Sequence, residues 1–470
     1  MWIEPIDIVF SHHMNGEKMK NVKPSKFRYV FYFIIIFALI NKCDNKSPLS
    51  SQGGVASLHY EVEVSIEPST NRIEGKVIVH NPPDSCFYLN PSFEIQQITA
   101  GDQSVPFRNA STSIPFTVGQ AVYYDGSNLD ELVIEYTGVI KGVVNGVNMI
   151  NSNLTELAYY AAWYPIFQAD ALFDFSLEVN APSEFVVTTN GKICKETLLD
   201  DGRLQTQWAS SKPATDIVIV ASPHFKEIEQ QQNDMSVEFF YYQTPDSSAN
   251  QKVDRLIRGY QLLCDFYGRS EGDAWMRFVY SPRNGWGYSR DPLFIVSEAY
   301  GLSLLNEEFG EARNFHGDVH EMSHFWWNIA NTNTPEDWIN EGLAEFSAFR
   351  LSEIVFGQAF ADVLIQEYNE HVAESQTNTA ILETESDSPD RYVNRYEKTT
   401  LMFLQARERF GEDKLNKVLR ALYAEFAGTR DATTDLFLKK VESYMGKEAR
   451  QYFEETLWLK TWDSEMYVYW

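Results

Sequence analysis

HGDVHEMSHFWWNIANTNTPEDWINEGLAEFSAFR, residues 316–350 of a 470-residue chain, holds two histidines four positions apart, His320 and His324, with Glu321 directly after the first. On a helix, positions i and i+4 share a face, so both imidazoles can reach one ion. Glu321 is turned by about 100° from His320, at 3.6 residues per turn. It therefore flanks such an ion, where a general base has to stand. Sixteen residues separate His324 from Glu341, which lies in Trp338-Ile339-Asn340-Glu341-Gly342 and is the expected third ligand. Two neutral nitrogens and one carboxylate leave the fourth tetrahedral position of one Zn²⁺ ion open, the ligand count of a catalytic site.

The competing reading is a helix whose histidines are merely packed or solvated. With nine His in the chain, a chance His-Glu-x-x-His arises on the order of once per hundred such chains. Phe325, Trp326, Trp327 and Ile329 predict that this helix is apolar around much of its circumference, and so buried. Buried imidazoles and carboxylates with no ion between them are costly, which favours the metal.

His320-Glu321-Met322-Ser323-His324 followed by Asn340-Glu341-Gly342-Leu343-Ala344-Glu345-Phe346 resembles the gluzincin metallopeptidases of the aminopeptidase N family, most strongly over 315–349. Tyr396-Glu397-Lys398 resembles that family's Tyr-x-Lys segment. The resemblance implies a thermolysin-like catalytic domain, one Zn²⁺, a peptide substrate, and a tyrosine, here Tyr396, that stabilises the tetrahedral intermediate. Glu321 is the expected base. Asn340 and Glu345 are expected to orient the ligands, with Glu345 as the alternative third ligand. The interval from His324 to Glu341 is about two residues shorter than the family's usual one, a difference that a loop can absorb.

One departure bears on substrate. Where the family carries a Gly-x-Met-Glu-Asn segment whose glutamate binds the α-ammonium, this chain reads Gly285-Trp286-Gly287-Tyr288-Ser289-Arg290-Asp291. Ser289 or Arg290 falls at the glutamate's place, and neither pairs with an ammonium. Asp291 and Glu298 are the nearby carboxylates that could substitute. Tyr159 to Phe167 (YYAAWYPIF) reads either as an aromatic core segment or, by the resemblance, as a loop reaching the cleft, with Trp163 and Tyr164 as its substrate-binding candidates. Zinc-dependent peptide hydrolysis, aminopeptidase-like, is the leading expectation. The alternatives are a zinc endopeptidase or other hydrolase accepting blocked N-termini, and a non-catalytic binding protein on the same scaffold.

Length and composition frame these readings. A chain of 470 residues exceeds one ordinary core, so more than one domain is expected. A net charge of −27, from 66 acidic and 39 basic side chains, argues against a nucleic-acid partner. Residues 19–43 read MKNVKPSKFRYVFYFIIIFALINKC, with a basic start at Lys20, Lys23, Lys26 and Arg28 and an apolar run from Tyr29 to Ile40. That run is short for a bilayer span and suits the core of an export signal. Cys43 with Asp44-Asn45-Lys46-Ser47 resembles a bacterial lipoprotein processing site, although Ile40-Asn41-Lys42 lacks the usual small residues. The expectation is an exported protein of the cell envelope or exterior. Lipid attachment to the membrane at Cys43, an uncleaved anchor and plain secretion all stay open.

Residues 1–56 are thus read as export signal and tether. From 57 to 230, period-two alternation begins with Tyr60, Val62, Val64 and Ile66 against Glu61, Glu63 and Ser65, and short strands recur with Asn190-Gly191 and Asp201-Gly202 as hairpin turns. An antiparallel β-sandwich or saddle is expected there. Residues 231–470 form the expected catalytic domain. Helical spacing runs from Val253 to Tyr267, strands are expected at Trp275–Tyr280 and Leu293–Val296, and helices from 396 onward. The large C-terminal helical array that many relatives carry is expected to be missing.

Overall fold

A computed structural model describes residues 58–462, apart from 84, 115–116, 127–128, 169–170, 233–234, 270–274 and 376–378. The export segment with Cys43, the tether, and Asn233-Asp234 lie outside the described residues. No helix among the described residues is long and apolar enough to cross a membrane.

The alternation of the first strand decides which way its sheet faces. In His59–Glu67, Tyr60, Val62, Val64 and Ile66 are buried while Glu61 and Glu63 are exposed, so one face of the strand packs inward and the other is wet. The strand pairs antiparallel with Arg72–His80 across a turn in which Asn71 takes a left-handed conformation. An eight-stranded sheet grows from this hairpin through Glu131–Val139 and Phe93–Ala100 on one side. On the other side it continues through Asp174–Pro182, Arg203–Ala209 and Lys192–Leu198. The pairing of His59–Glu67 with Asp174–Pro182 is parallel, a departure from the wholly antiparallel expectation. These strands lie far apart in sequence and no tight turn joins them.

Asp201-Gly202 does close a hairpin, between Lys192–Leu198 and Arg203–Ala209. Asn190-Gly191 does not. Val186–Thr189 pairs with Ile219–Ser222 in a separate four-stranded sheet. The Asn190 side chain bridges to that neighbour, donating to Asp216 O at 2.8 Å and accepting from Val218 N at 2.9 Å. The asparagine steers the chain between two sheets instead of turning it back.

The C-terminal half begins with a five-stranded sheet in the order Lys226–Gln232, Met235–Tyr241, Trp275–Ser281, Leu293–Ser297 and Tyr288–Arg290. Lys226–Gln232, which the sequence reading gives to the N-terminal domain, is therefore the outer strand of the second sheet, and the change of sheet falls at 223–225. Helices follow: α1 (Asp246–Tyr267), α2 (Glu298–Leu304), α3 (Gly310–Ser323), α4 (Trp338–Phe356) and α5 (Gln358–Glu374), then α6 (Thr399–Phe410), α7 (Glu412–Phe426), α8 (Thr434–Met445) and α9 (Lys447–Leu457). A π-helical turn at Val393–Lys398 leads into α6. Val253, Leu256, Ile257, Tyr260, Leu263 and Tyr267 form the buried stripe of α1, which stops at Gly268. Each such side chain contributes roughly 1.5–3 kcal/mol on full burial.

A third apolar cluster joins the four-stranded and five-stranded sheets, with Met149, Leu154, Val218 and Val220 against Val279, Leu293 and Ile295. Charge pairs lock the same seam. Arg283 meets Glu156 at 2.8 Å with both side chains almost wholly buried, and Ser281 donates to the same carboxylate at 2.6 Å. A buried pair needs such extra hydrogen bonds to offset desolvation. The seam presents Tyr159 and Tyr160 to the outer strand Tyr288–Arg290.

Candidate active site

Helix α3 carries His316, His320 and Glu321 along its last two turns, and His324 caps its end with helical φ/ψ. The helix stops sooner than the apolar run suggests. Phe325, Trp326 and Trp327 follow in a turn, although all three are buried. Asn340 explains the turn, because its side-chain oxygen accepts from the N–H groups of Ile329 and Ala330 at 2.9 and 3.0 Å and removes them from any helix. His324 keeps the i+4 face despite this early stop.

Helix α4 brings Glu341 to the two imidazoles. Its Oε2 lies 3.6 Å from His320 Nε2 and 3.4 Å from His324 Nε2. One donor atom from each residue fits within 4.8 Å of the others. The short interval noted in the sequence is thus absorbed by the turn between the helices. The opposite ring nitrogens are engaged by acceptors: His320 Nδ1 with Glu345 Oε2 at 2.6 Å, and His324 Nδ1 with Trp327 O at 2.9 Å. A carboxylate and a carbonyl only accept, so each Nδ1 carries a proton and Nε2 is the nitrogen of each ring that faces Glu341. That donor set suits a zinc ion.

Glu345 is itself held by His316 Nε2 at 2.8 Å and by the Tyr368 hydroxyl. Burial would push its carboxyl up, but His316 and His320 hold it well below the usual carboxylate range. It supports His320 and stands outside the converging trio. Asn340 touches neither imidazole. It holds the turn after α3 and donates to Asp337 at 3.0 Å.

Two residues line the same cavity with different tasks open to them. Glu321 stays outside the trio, and burial pushes its carboxyl up against the opposing pull of His320 and His324. Gly287, just before the facing strand, comes so close that a Cβ there would fall 2.7 Å from Glu321 Oε1. Tyr396, in the π-helical turn, stacks on the His320 ring with centroids 5.3 Å apart and planes 9° apart. Burial and the neighbouring Glu341 push its phenol well above the ordinary tyrosine value, so it remains a donor. A π-turn at such a position re-aims one side chain within a helix.

The cavity around these groups measures about 1140 Å³. Solved structures share the fold of this chain. An M1 zinc metallopeptidase from Deinococcus radiodurans matches with a TM-score of 0.68 at 15% identity, over 87% of this chain and 96% of that one. A glutamate-to-alanine mutant of an M1 zinc metallopeptidase from the same organism, bound to a Tyr-Ser-Ala substrate, matches with a TM-score of 0.68 at 15% identity, over 87% of this chain and 95% of its own. A two-domain M1 zinc metallopeptidase mutant bound to L-tryptophan matches with a TM-score of 0.68 at 14% identity, over 87% and 96%. The chain has the M1 metallopeptidase fold. No protein-family model matches the sequence, and no curated protein does.

Within this M1 fold, the substrate-side candidates separate. Asp291 is tied to Lys212, and Glu298 accepts from the N–H groups of Gln243 and Thr244 at 2.8 and 2.6 Å. Neither carboxylate is among the residues lining the cavity that holds His320. Trp163 is fully buried, its indole N–H bound to Ile217 O at 3.1 Å. Tyr164 does line the cavity, with its hydroxyl on Asp216 at 3.2 Å. Tyr159 and Tyr160, from the same aromatic stretch, line it too.

Two arginines complete the wall, Arg391, which the sequence reading passed over, and Arg290, which it placed where an ammonium-binding glutamate would stand. Arg391 reaches Glu341, Asp337 and Tyr396. Arg290 emerges from the outer strand beside Tyr160. His316 had a visible signal, since it precedes His320 by the same four-residue step that links His320 to His324.

Proposed function

We propose that this chain is a zinc metallopeptidase that hydrolyses peptide bonds on an aminopeptidase-like scaffold. The observation that carries the reading is the convergence of His320 Nε2 and His324 Nε2 on Glu341 Oε2, with Glu321 beside but outside that trio. Those three side chains would hold the ion. When bound, Zn²⁺ polarises a peptide carbonyl and acidifies a water molecule.

The remaining work falls to the protein. Glu321 takes the proton from water at its carboxylate and delivers it to the leaving nitrogen. Its raised protonation range suits a group that must both accept and return a proton. The neutral Tyr396 phenol donates to the carbonyl oxygen as negative charge develops there. Tyr288–Arg290 borders the cavity and is the last strand of its sheet among the described residues, so an extended peptide can lie along it as an added strand. The missing side chain of Gly287 lets this segment close onto Glu321.

The test is Glu321→Gln, with bound zinc measured in the same preparation. The expected result is full zinc content and a loss of peptide hydrolysis of about 10²–10⁴-fold, the range for a positioned acid–base group. A zinc-replete variant cleaving at the original rate would overturn the assignment.

A further inference from the structure

The charges that line the cavity are distributed unevenly between its walls. Its carboxylates are Glu321, Asp337, Glu341, Glu345, Glu367 and Glu397. Asp337 and Glu341 are held by Arg391, at 2.8 and 3.0 Å. Glu345 is held by His316, at 2.8 Å. Glu367 is bound by Arg313 through a fork whose longer arm is 3.0 Å. Glu397 meets His371 at 2.8 Å, and its second oxygen is enclosed. Among the described residues lining this cavity, only Glu321, the base, has no cationic or imidazole partner within salt-bridge distance. Apart from that base, each carboxylate that an incoming ammonium could meet already has a cationic or imidazole partner.

Arg290 presents the opposite offer. Its Nε donates to Asp216 at 2.9 Å, Nη1 to Ser289 O at 2.6 Å and Nη2 to the Tyr160 hydroxyl at 2.9 Å. A guanidinium has five N–H groups, so one on each terminal nitrogen has no acceptor among the described residues. The rings of Tyr159, Tyr160 and Tyr288 surround its carbon at 5.1, 5.2 and 5.5 Å. Asp216 is fully buried and further fixed by Tyr159 N at 3.0 Å, whereas the Arg290 side chain keeps 15% of its surface exposed. The buried carboxylate thus anchors the arginine, and Arg290 lines the cavity that holds Glu321. Two N–H groups on neighbouring nitrogens match the two oxygens of a carboxylate.

We propose that Arg290 binds a carboxylate of the substrate, so that this site takes peptides with an anionic group beside the cleaved bond and disfavours a free α-ammonium there. The inference rests on the peptidase reading and names its substrate class. The carboxylate can come from an acidic blocking group, an acidic side chain or a free C-terminus.

Matched peptides differing only in that group separate the sources. The series comprises free-amine, N-acetyl, N-succinyl and glutamyl forms, each with a C-terminal carboxylate or amide. Affinity for the zinc-loaded Glu321→Gln protein is measured by calorimetry, and turnover by the zinc-loaded wild-type chain. At least one carboxylate form should bind about tenfold or more tighter than its neutral isostere, with the free-amine form weakest, and Arg290→Gln should erase that ratio. A ratio near one, tighter binding of the free amine, or a ratio that survives Arg290→Gln overturns the proposal. Should Arg290→Gln fail to fold, the ratio in the protein with Arg290 intact still decides. A carboxylate preference in binding without hydrolysis of any peptide sinks the peptidase reading alone. Hydrolysis without the preference sinks the role of Arg290 alone.

Discussion

Arg391 donates from Nη2 to Oε1 of Glu341 at 3.0 Å, while the other oxygen of that carboxylate faces the Nε2 atoms of His320 and His324. The two oxygens are divided between a guanidinium and the two imidazoles, which would leave Oε2 as the oxygen that holds a bound ion. Asp337, holding both Arg391 and Arg395 at 2.8 and 2.9 Å, keeps the guanidinium in place. Arg391→Gln should therefore weaken zinc binding by about 10–100-fold, the usual effect of losing a group that orients a ligand. Chelator competition measures this directly, and an unchanged zinc affinity would refute the division of labour.

Tyr396→Phe removes one hydroxyl and leaves the stacking on His320 in place. Zinc content and thermal stability should hold, while kcat falls by about 10²–10³-fold, the typical loss of one oxyanion donor. A fall in KM-limited binding with kcat intact would instead assign Tyr396 to substrate affinity.

Gly342 decides how near the Tyr396 turn can come. A Cβ at this position would fall 2.2 Å from Thr399 Cγ2 and 2.8 Å from Arg395 O. Gly342→Ala must push the turn away from α4, at a cost of about 1–3 kcal/mol for overpacking a close contact. The expected signature is a lowered melting temperature and a kcat loss like that of Tyr396→Phe, with zinc still bound. Wild-type melting would show that the turn yields without strain.

The reach of the sequence follows from the range of each interaction. His320, His324 and the flanking Glu321 were legible because helical spacing alone places them, and Glu341 stood out through its own motif. The alternation from Tyr60 to Ile66 likewise named a buried face. Asn190-Gly191 misled because a local turn signal cannot reveal which sheet the next strand joins. The aromatic run after His324 misled in the same way, since Asn340 captures Ile329 and Ala330 from another helix. Arg391 and Arg290 had no local signature. Their partners Glu341 and Asp216 lie 50 and 74 residues away, and only the folded chain brings them together.

Lys398 carries the pH dependence that is easiest to isolate. It is almost wholly buried at the end of the Tyr396 turn, and its ammonium donates to Leu459 O at 2.6 Å. Burial lowers its pKa from 10.5 to about 8. The folded state therefore releases this proton more readily than the unfolded chain, and between those values the unfolded chain binds more protons. Stability must rise with pH across that window. The contribution is fully present above 10.5 and is lost as pH falls through about 8. Lys398→Met removes the titrating group and should flatten this segment of the stability curve relative to wild type, as read by urea unfolding at pH values spanning the window. Two curves that stay parallel from one end of it to the other would place the Lys398 ammonium in water rather than in the core.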